Sequence, residues 1–257
     1  MKIDWSPLES ELRLWRSQAL SLPIWWRDDD AISRTDALDQ LASLAAQTQM
    51  PIHIAVIPDH ITPSLRPLLA QHPLLVPVVH GWRHVSHAPD GQKNAEFGHT
   101  RPDGGPELKR AMDEMDRHFG ADLIKMFVPP WNRISDDLVS KLSTLGYSSL
   151  STYGPRKQVF AAPKLIQINT HIDPIFWRGD RGLCDPELLI SGITTTLKDR
   201  REGRTDATEP LGLLTHHLVH TADIWSFSAD LMLVLLEGGA VPADIRALAQ
   251  PSLSPNI

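Results

Sequence analysis

The chain has 257 residues, 42% of them hydrophobic, and 25 Lys and Arg against 31 Asp and Glu give a formal net charge of -6. That length supports one sizeable core, and a mildly acidic chain lacks the electrostatic footprint of a general nucleic-acid binder. A lone cysteine, Cys184, excludes an internal disulfide framework and any all-cysteine metal cluster, while 12 His make a His/carboxylate site the metal chemistry to look for.

Nothing approaches the ~18 consecutive apolar residues of a membrane span. Asp4, Glu9, Glu11, Arg13 and Arg16 interrupt the N-terminal segment where a signal peptide would keep an apolar run. The expected compartment is cytoplasmic, with no nucleic acid and no membrane span among the partners. The oligomeric state is left open.

The first apolar, β-rich run is Leu22–Arg27, and Asp28-Asp29-Asp30 follows it directly. A helical period covers Thr35–Gln47, with Leu38, Leu41, Leu44 and Ala45 on one face. Ile52–Ile57 is the second β run, Pro63–Gln71 the next helix, and Leu75–Val79 the third β run, leading into His80-Gly81-Trp82-Arg83-His84. A long polar loop, Ser86–Gly105, precedes a helix over Pro106–Phe119. The short run Lys125–Val128 ends in Pro129-Pro130-Trp131-Asn132, and a helix over Ser135–Leu145 stops at Gly146, a suitable C-cap. Tyr147–Ser151 and Leu165–Asn169 are further β runs, the second followed by His171 and Asp173. Past the polar loop Phe176–Asp185 and a helix over Pro186–Arg200, the last run, Leu211–Thr215, delivers His216, His217 and His220. The tail Gln250–Ile257 is expected to fray.

Strands alternating with helices specify a mainly parallel sheet with helices outside. Seven such runs in one domain spanning 1–257 suit a barrel or a large open sheet, and neither glycine-rich nucleotide fingerprint occurs. In a parallel barrel the reactive groups sit at the C-terminal ends of strands, which is where most of these runs place their polar residues.

The three adjacent carboxylates repel one another unless a cation compensates them, although such a triplet also serves as a solvated loop with a helix N-cap. His80 and His84, spaced i, i+4, would share one face of a helical turn and give a suitable bite for a metal. Two buried histidines bonded to backbone would show the same spacing. Gly81 removes the base that a zinc-protease helix needs. Two His and one Asp suit hydrolytic zinc and also the facial triad of non-haem iron oxygenases. One of His216, His217 and His220 could serve as a general acid near neutral pH, against the plainer reading of solvent-facing histidines at a helix start. Trp82, Trp131, Trp177 and Trp225 fall near the same strand ends and could stack on sugar rings or anchor the core. His53, His60, His72, His99 and His118 lie off this pattern.

The order of these motifs resembles the polysaccharide deacetylase superfamily, carbohydrate esterase family 4 and its relatives. Trp26-Arg27-Asp28-Asp29-Asp30 stands at the family's Thr-Phe-Asp-Asp-Gly, and His80-Gly81-Trp82-Arg83-His84 at its His-Ser/Thr-x-x-His. Val128-Pro129-Pro130-Trp131-Asn132 loosely matches Arg-x-Pro-Tyr/Phe-Gly, Asp173 with Trp177 matches the fourth motif, and Leu214-Thr215-His216 matches Leu-x-His. The resemblance implies a distorted seven-stranded (β/α) barrel and a metal-dependent hydrolase, with a divalent ion, often zinc, that removes acetyl groups from N-acetylated sugars or glycan precursors. It further implies Asp28 as general base, Asp29, His80 and His84 as metal ligands, and His216 as general acid. The Trp131 backbone N–H would serve the oxyanion, and Trp131, Asp173 and Trp177 would line the substrate site.

Two positions depart from the family pattern. Val128 replaces the arginine that braces the base, with Arg27, Arg83 or Arg133 available to substitute, and Asp30 replaces the glycine, which allows the carboxylate roles to shift by one residue. A non-catalytic sugar-binding barrel that keeps the metal pocket, and an iron oxygenase, are the rival readings. The Ser86–Gly105 loop is expected to wall the pocket opposite Trp131 and Trp177.

Overall fold

The computed structural model describes residues 3–250, so the expected frayed tail falls, beyond Gln250, outside the described residues. The chain runs α1 (Ser6–Ser17), β1 (Pro23–Ala31), α2 (Asp36–Thr48), β2 (Ile52–Val56), α3 (Leu65–Gln71), β3 (Leu75–His80), α4 (Gly104–Phe119), β4 (Met126–Val128) and α5 (Asp136–Leu142). It continues with β5 (Ser149–Leu150), β6 (Phe160–Ala162), β7 (Leu165–Gln167), α6 (Pro186–Arg201), β8 (Leu211–Thr215), α7 (Ala222–Glu237), β9 (Val241–Pro242) and α8 (Ile245–Leu248).

The strands form one sheet in the order β6-β7-β5-β4-β3-β2-β1-β8, with β9 beside β1. Every pairing is parallel except β6 with β7. All seven apolar runs become parallel strands: β1, β2, β3, β4, β5, β7 and β8. They are readable because a parallel strand is covered on both faces and therefore apolar on both; all five residues of β2 are buried. The core lies between sheet and helices and centres on Trp25, Trp26, Ile54, Val78 and Phe127.

The barrel has a seam. No continuous ladder joins β7 to β8. The chain leaving β7 bridges to the β5 side at Tyr153 and Thr170, then crosses to β8 at Ile172 and Leu213. Gly212 permits this crossing, since a Cβ there would stand 2.4 Å from Trp25 Nε1 and 2.8 Å from the Asn169 carbonyl.

Side-chain caps fix three long helices. The Thr35 side chain accepts from Leu38 N–H, Asp185 from Glu187 N–H, and Thr221 from Ile224 N–H. Three helices go beyond the elements expected from the sequence: α1, α7 and the short α8. α1 buries Leu8, Leu12 and Trp15 and donates the Trp15 indole N–H to the Leu197 carbonyl on α6. α7 buries Ile224, Phe227, Leu231 and Leu235. Among the described residues no helix is long and apolar enough to cross a membrane.

Candidate active site

The acidic triplet splits because strand residues alternate in direction. Asp28 turns away from the barrel interior into a fully buried pocket, where Thr215 Oγ1 donates to it at 2.6 Å, His217 N–H at 3.0 Å, and the His217 imidazole pairs with it directly. Burial alone would raise the Asp28 pKa, but His217 and Thr215 outweigh it and bring it down. His217 moves up in turn, its own burial overcome by the Asp28 charge.

Arg27 and Asp29 point the other way. Arg27 is fully buried, and its Nε and Nη2 donate to Asp29 Oδ1 and Oδ2 at 2.8 and 3.0 Å, a bidentate clamp. The guanidinium is itself fixed by Ser151 Oγ at 2.7 Å and Asn132 Oδ1 at 2.8 Å, from across the barrel. Of the three arginines available to brace a carboxylate, Arg83 instead pairs with Asp59 at 2.8 Å and Arg133 donates to the Asn94 carbonyl at 2.6 Å.

Asp30 breaks the alternation. Its φ is 77°, and the β1–β2 register shifts between Asp28 and Ala31. The carboxylate thereby reaches the rim, with its Oδ1 3.1 Å from His80 Nε2 and 3.3 Å from His84 Nε2. The structure thus gathers Asp30, His80 and His84 as a three-donor set, their donor atoms all within 4.8 Å of one another. The residues gathered differ by one from the set the resemblance implies, with Asp30 in place of Asp29. Asp28, expected as the base, is shut away behind β1.

The two histidines meet by a route other than the expected helical turn. Gly81 at φ 56° and His84 at φ 58° bend the segment out of helical geometry. The buried Glu96 carboxylate organises the bend by accepting the N–H groups of Trp82 at 3.1 Å, Arg83 at 2.7 Å and His84 at 3.2 Å. Gly81 is required there, because a Cβ would lie 2.2 Å from Glu96 Oε2 and 2.5 Å from Pro130 Cγ. The imidazoles end with centroids 5.1 Å apart.

This donor set fits a divalent metal. His80 Nδ1 lies 3.0 Å from the Val128 carbonyl, which fixes a proton on that nitrogen and turns Nε2 toward Asp30. A lone pair facing a carboxylate oxygen requires a proton or a cation between them. With no cation, burial disfavours the His80 imidazolium, but Asp29 and Asp30 outweigh it and raise its pKa. Asp30, whose burial works the opposite way, is held far below the usual carboxylate range by His80, His216 and His84.

Asp29, Asp30, His80 and His84 open into a cavity of about 790 Å³ whose walls include Trp131, Asp173, Trp177, Leu214 and His216. Of the three histidines after β8, only His216 reaches it. His217 is consumed by Asp28, and His220 Nε2 accepts the His216 backbone N–H at 3.3 Å while its ring packs on Trp225. Burial lowers the His220 pKa to about 4. The His216 ring stands edge-on to Trp177 at 4.8 Å, and its Nδ1 is buried without a hydrogen-bond partner. Asp173 accepts the Trp177 indole N–H at 2.8 Å; burial raises its pKa, with the nearby His216 charge acting in the opposite sense. Trp82 and Trp225 lie off the cavity.

The Ser86–Gly105 loop does not wall this cavity opposite Trp177. It lines a neighbouring one of about 950 Å³, which meets the first at Asn132, Arg133 and Tyr153. Asn132, Glu96 and Tyr153 were not singled out as site residues by the sequence, and Arg27 only as one of three arginines available to brace a carboxylate. For Arg27 a signal existed, since period 2 puts it on the same face as Asp29.

No protein-family model matches the sequence, and no curated protein does. Solved structures share the architecture. A family 4 carbohydrate esterase from Streptomyces lividans in complex with acetate aligns with TM-score 0.56 at 13% identity, over 91% of this chain and 98% of that one. A peptidoglycan N-acetylglucosamine deacetylase aligns with TM-score 0.54 at 12% identity, over 89% and 88%. A family 4 pseudoenzyme from Bacillus anthracis aligns with TM-score 0.54 at 12% identity, over 90% and 66%. The chain shares the fold of these carbohydrate esterase family 4 structures at low sequence identity.

Proposed function

We propose that the chain is a zinc-dependent hydrolase that removes acetyl groups from N-acetylated sugars or glycan precursors. The observation that carries this reading is one cavity holding the Asp30–His80–His84 donor set, the clamped Asp29 beside it and His216 on its wall. A divalent ion at these ligands supplies Lewis acidity and lowers the pKa of water at the site. Asp29, held in one orientation by Arg27, takes the proton of the attacking water. The Trp131 backbone N–H donates to the oxyanion of the tetrahedral intermediate. His216 protonates the departing sugar amine. Trp131 and Trp177 offer ring faces to the substrate. The base assigned here is Asp29, one residue beyond the Asp28 that the resemblance implies.

The test is acetate release by the zinc-loaded protein from N-acetylglucosamine oligosaccharides. Asp29→Asn and His216→Ala should each keep the metal and lose about 100- to 10,000-fold in turnover. Turnover that survives both substitutions overturns the assignment. A non-catalytic sugar-binding role is favoured by one observation, Val128 at the position of the family's bracing arginine. Against it, Arg27 clamps a cavity carboxylate from a different position. Sugar binding without acetate release would establish the binding role.

A further inference from the structure

The cavity beside the metal centre has an electrostatic character opposite to that of the chain. The chain carries a net charge of -6, yet the charged side chains lining this space are Lys93, Arg133 and Lys157 against Asp136 alone. Among the described residues neither Lys93 nor Lys157 has an acidic partner. Most other cations near the barrel rim are neutralised, as Arg27 is by Asp29, Arg83 by Asp59, Arg101 by Glu107 and Arg156 by Asp206. Unpaired cations drawn from three separate segments, the loop, the turn after β4 and the turn after β5, therefore converge on one space of about 950 Å³.

Arg133 lies where the two cavities meet. Its Nη1 is tied to the Asn94 carbonyl at 2.6 Å, which anchors the loop and leaves the rest of the guanidinium fork for a ligand. Its neighbour Asn132 also lines both cavities and accepts from the Arg27 clamp at 2.8 Å. A substrate whose acetylated ring occupies the metal cavity would extend over Asn132 and Arg133 into the cationic space. Thr152 and Gln167, which also line this space, are already bonded to Asn169.

We infer that this second cavity is a subsite for an acidic group, a phosphate or a carboxylate, carried by the acetylated sugar, with Arg133 at the junction and Lys93 and Lys157 on the walls. The inference rests on the deacetylase reading for the identity of the sugar, but the binding itself does not depend on turnover. Anionic substrates would be captured from solution by the local positive field and lose that advantage in salt.

The test is calorimetric titration of the zinc-loaded protein with N-acetylglucosamine, N-acetylglucosamine 6-phosphate and N-acetylglucosamine β-linked to glucuronic acid. The acidic sugars should bind more tightly than the neutral one. Lys93→Gln and Lys157→Gln should each narrow the gap about two- to fivefold, as expected for exposed charge pairs, and high salt should close it. A preference for the phosphate alone identifies phosphate as the acidic group, and a preference for the uronic acid alone identifies carboxylate. Equal binding of all three sugars overturns the inference. So does a gap that survives both substitutions, which would place the anion on the metal instead. Acetate release followed in the same samples separates the two proposals. Tight, lysine-dependent binding without acetate sinks the hydrolase and leaves the subsite, whereas acetate release with equal binding of neutral and acidic sugars sinks the subsite and leaves the hydrolase.

Discussion

Glu96→Gln probes how the metal donors are held. The carboxylate accepts three N–H bonds from the turn that carries His84, two on Oε2 and one on Oε1. The amide keeps one oxygen, which can retain Trp82 and His84, but its NH₂ then faces the Arg83 N–H. One charge-assisted bond is lost, and two become neutral at about half their strength. Burial raises the Glu96 pKa against the pull of these donors, so the amide also recovers part of the desolvation cost. The net destabilisation should be about 1–2 kcal/mol. The larger effect falls on His84, a non-glycine residue at φ 58° whose backbone these bonds secure. Loss of a group that orients a ligand typically weakens metal binding about 10- to 100-fold. Urea unfolding of the metal-free protein reads the first quantity, and zinc competition against a chromophoric chelator reads the second. A variant that is less stable yet binds zinc as tightly as the parent would show that the turn does not set the ligand geometry.

Asp30→Asn should sharply lower zinc content in elemental analysis while Asp29→Asn leaves it near one ion per chain; the reverse result would restore the set implied by the family motif. Arg27→Gln strips the clamp from a buried carboxylate and should cost about 3–5 kcal/mol in urea unfolding, with turnover per folded molecule also reduced; a loss under 1 kcal/mol would refute the clamp. Burial brings the His53 pKa down to about 4 from an ordinary value of 6.5. A depressed histidine contributes stability that is complete above 6.5 and declines as pH falls toward 4, by about 3 kcal/mol for a difference of that size. His53→Asn can still donate to the Trp26 carbonyl, which the ring contacts at 3.1 Å. Its unfolding free energy should therefore fall less steeply than the parent's between pH 6.5 and pH 4, and an identical slope would contradict the argument.

The seven parallel strands and the rim were legible because burial on both faces writes an uninterrupted apolar run, and each run ends where the polar residues begin. The three histidines after the last strand stood out by following it directly, and the choice of His216 among them came from the family resemblance. The choice among Asp28, Asp29 and Asp30 was not legible, since it depends on a left-handed φ at Asp30 and a register shift against β2, neither of which leaves a periodic signal. Glu96 was hidden for another reason. It acts on backbone N–H groups 12 to 14 positions away, through a loop whose sequence reads only as polar. Its wall was expected over the metal cavity, but Arg133 ties that loop to the turn after β4 and sets it beside the neighbouring space.

Setting an arginine and the carboxylate it clamps two residues apart on one strand divides the barrel into a fixed half and an adjustable half. Arg27 is held in β1 between paired neighbours on both sides, and its guanidinium in turn fixes Asp29. Asp173 and Trp177 hang instead on the segment that crosses the seam at Ile172. Substitutions or insertions along that segment can reshape the mouth of the cavity without moving the clamped carboxylate. The mouth can therefore vary while the clamped pair stays put, a separation that is unavailable when an arginine must reach its carboxylate from another strand.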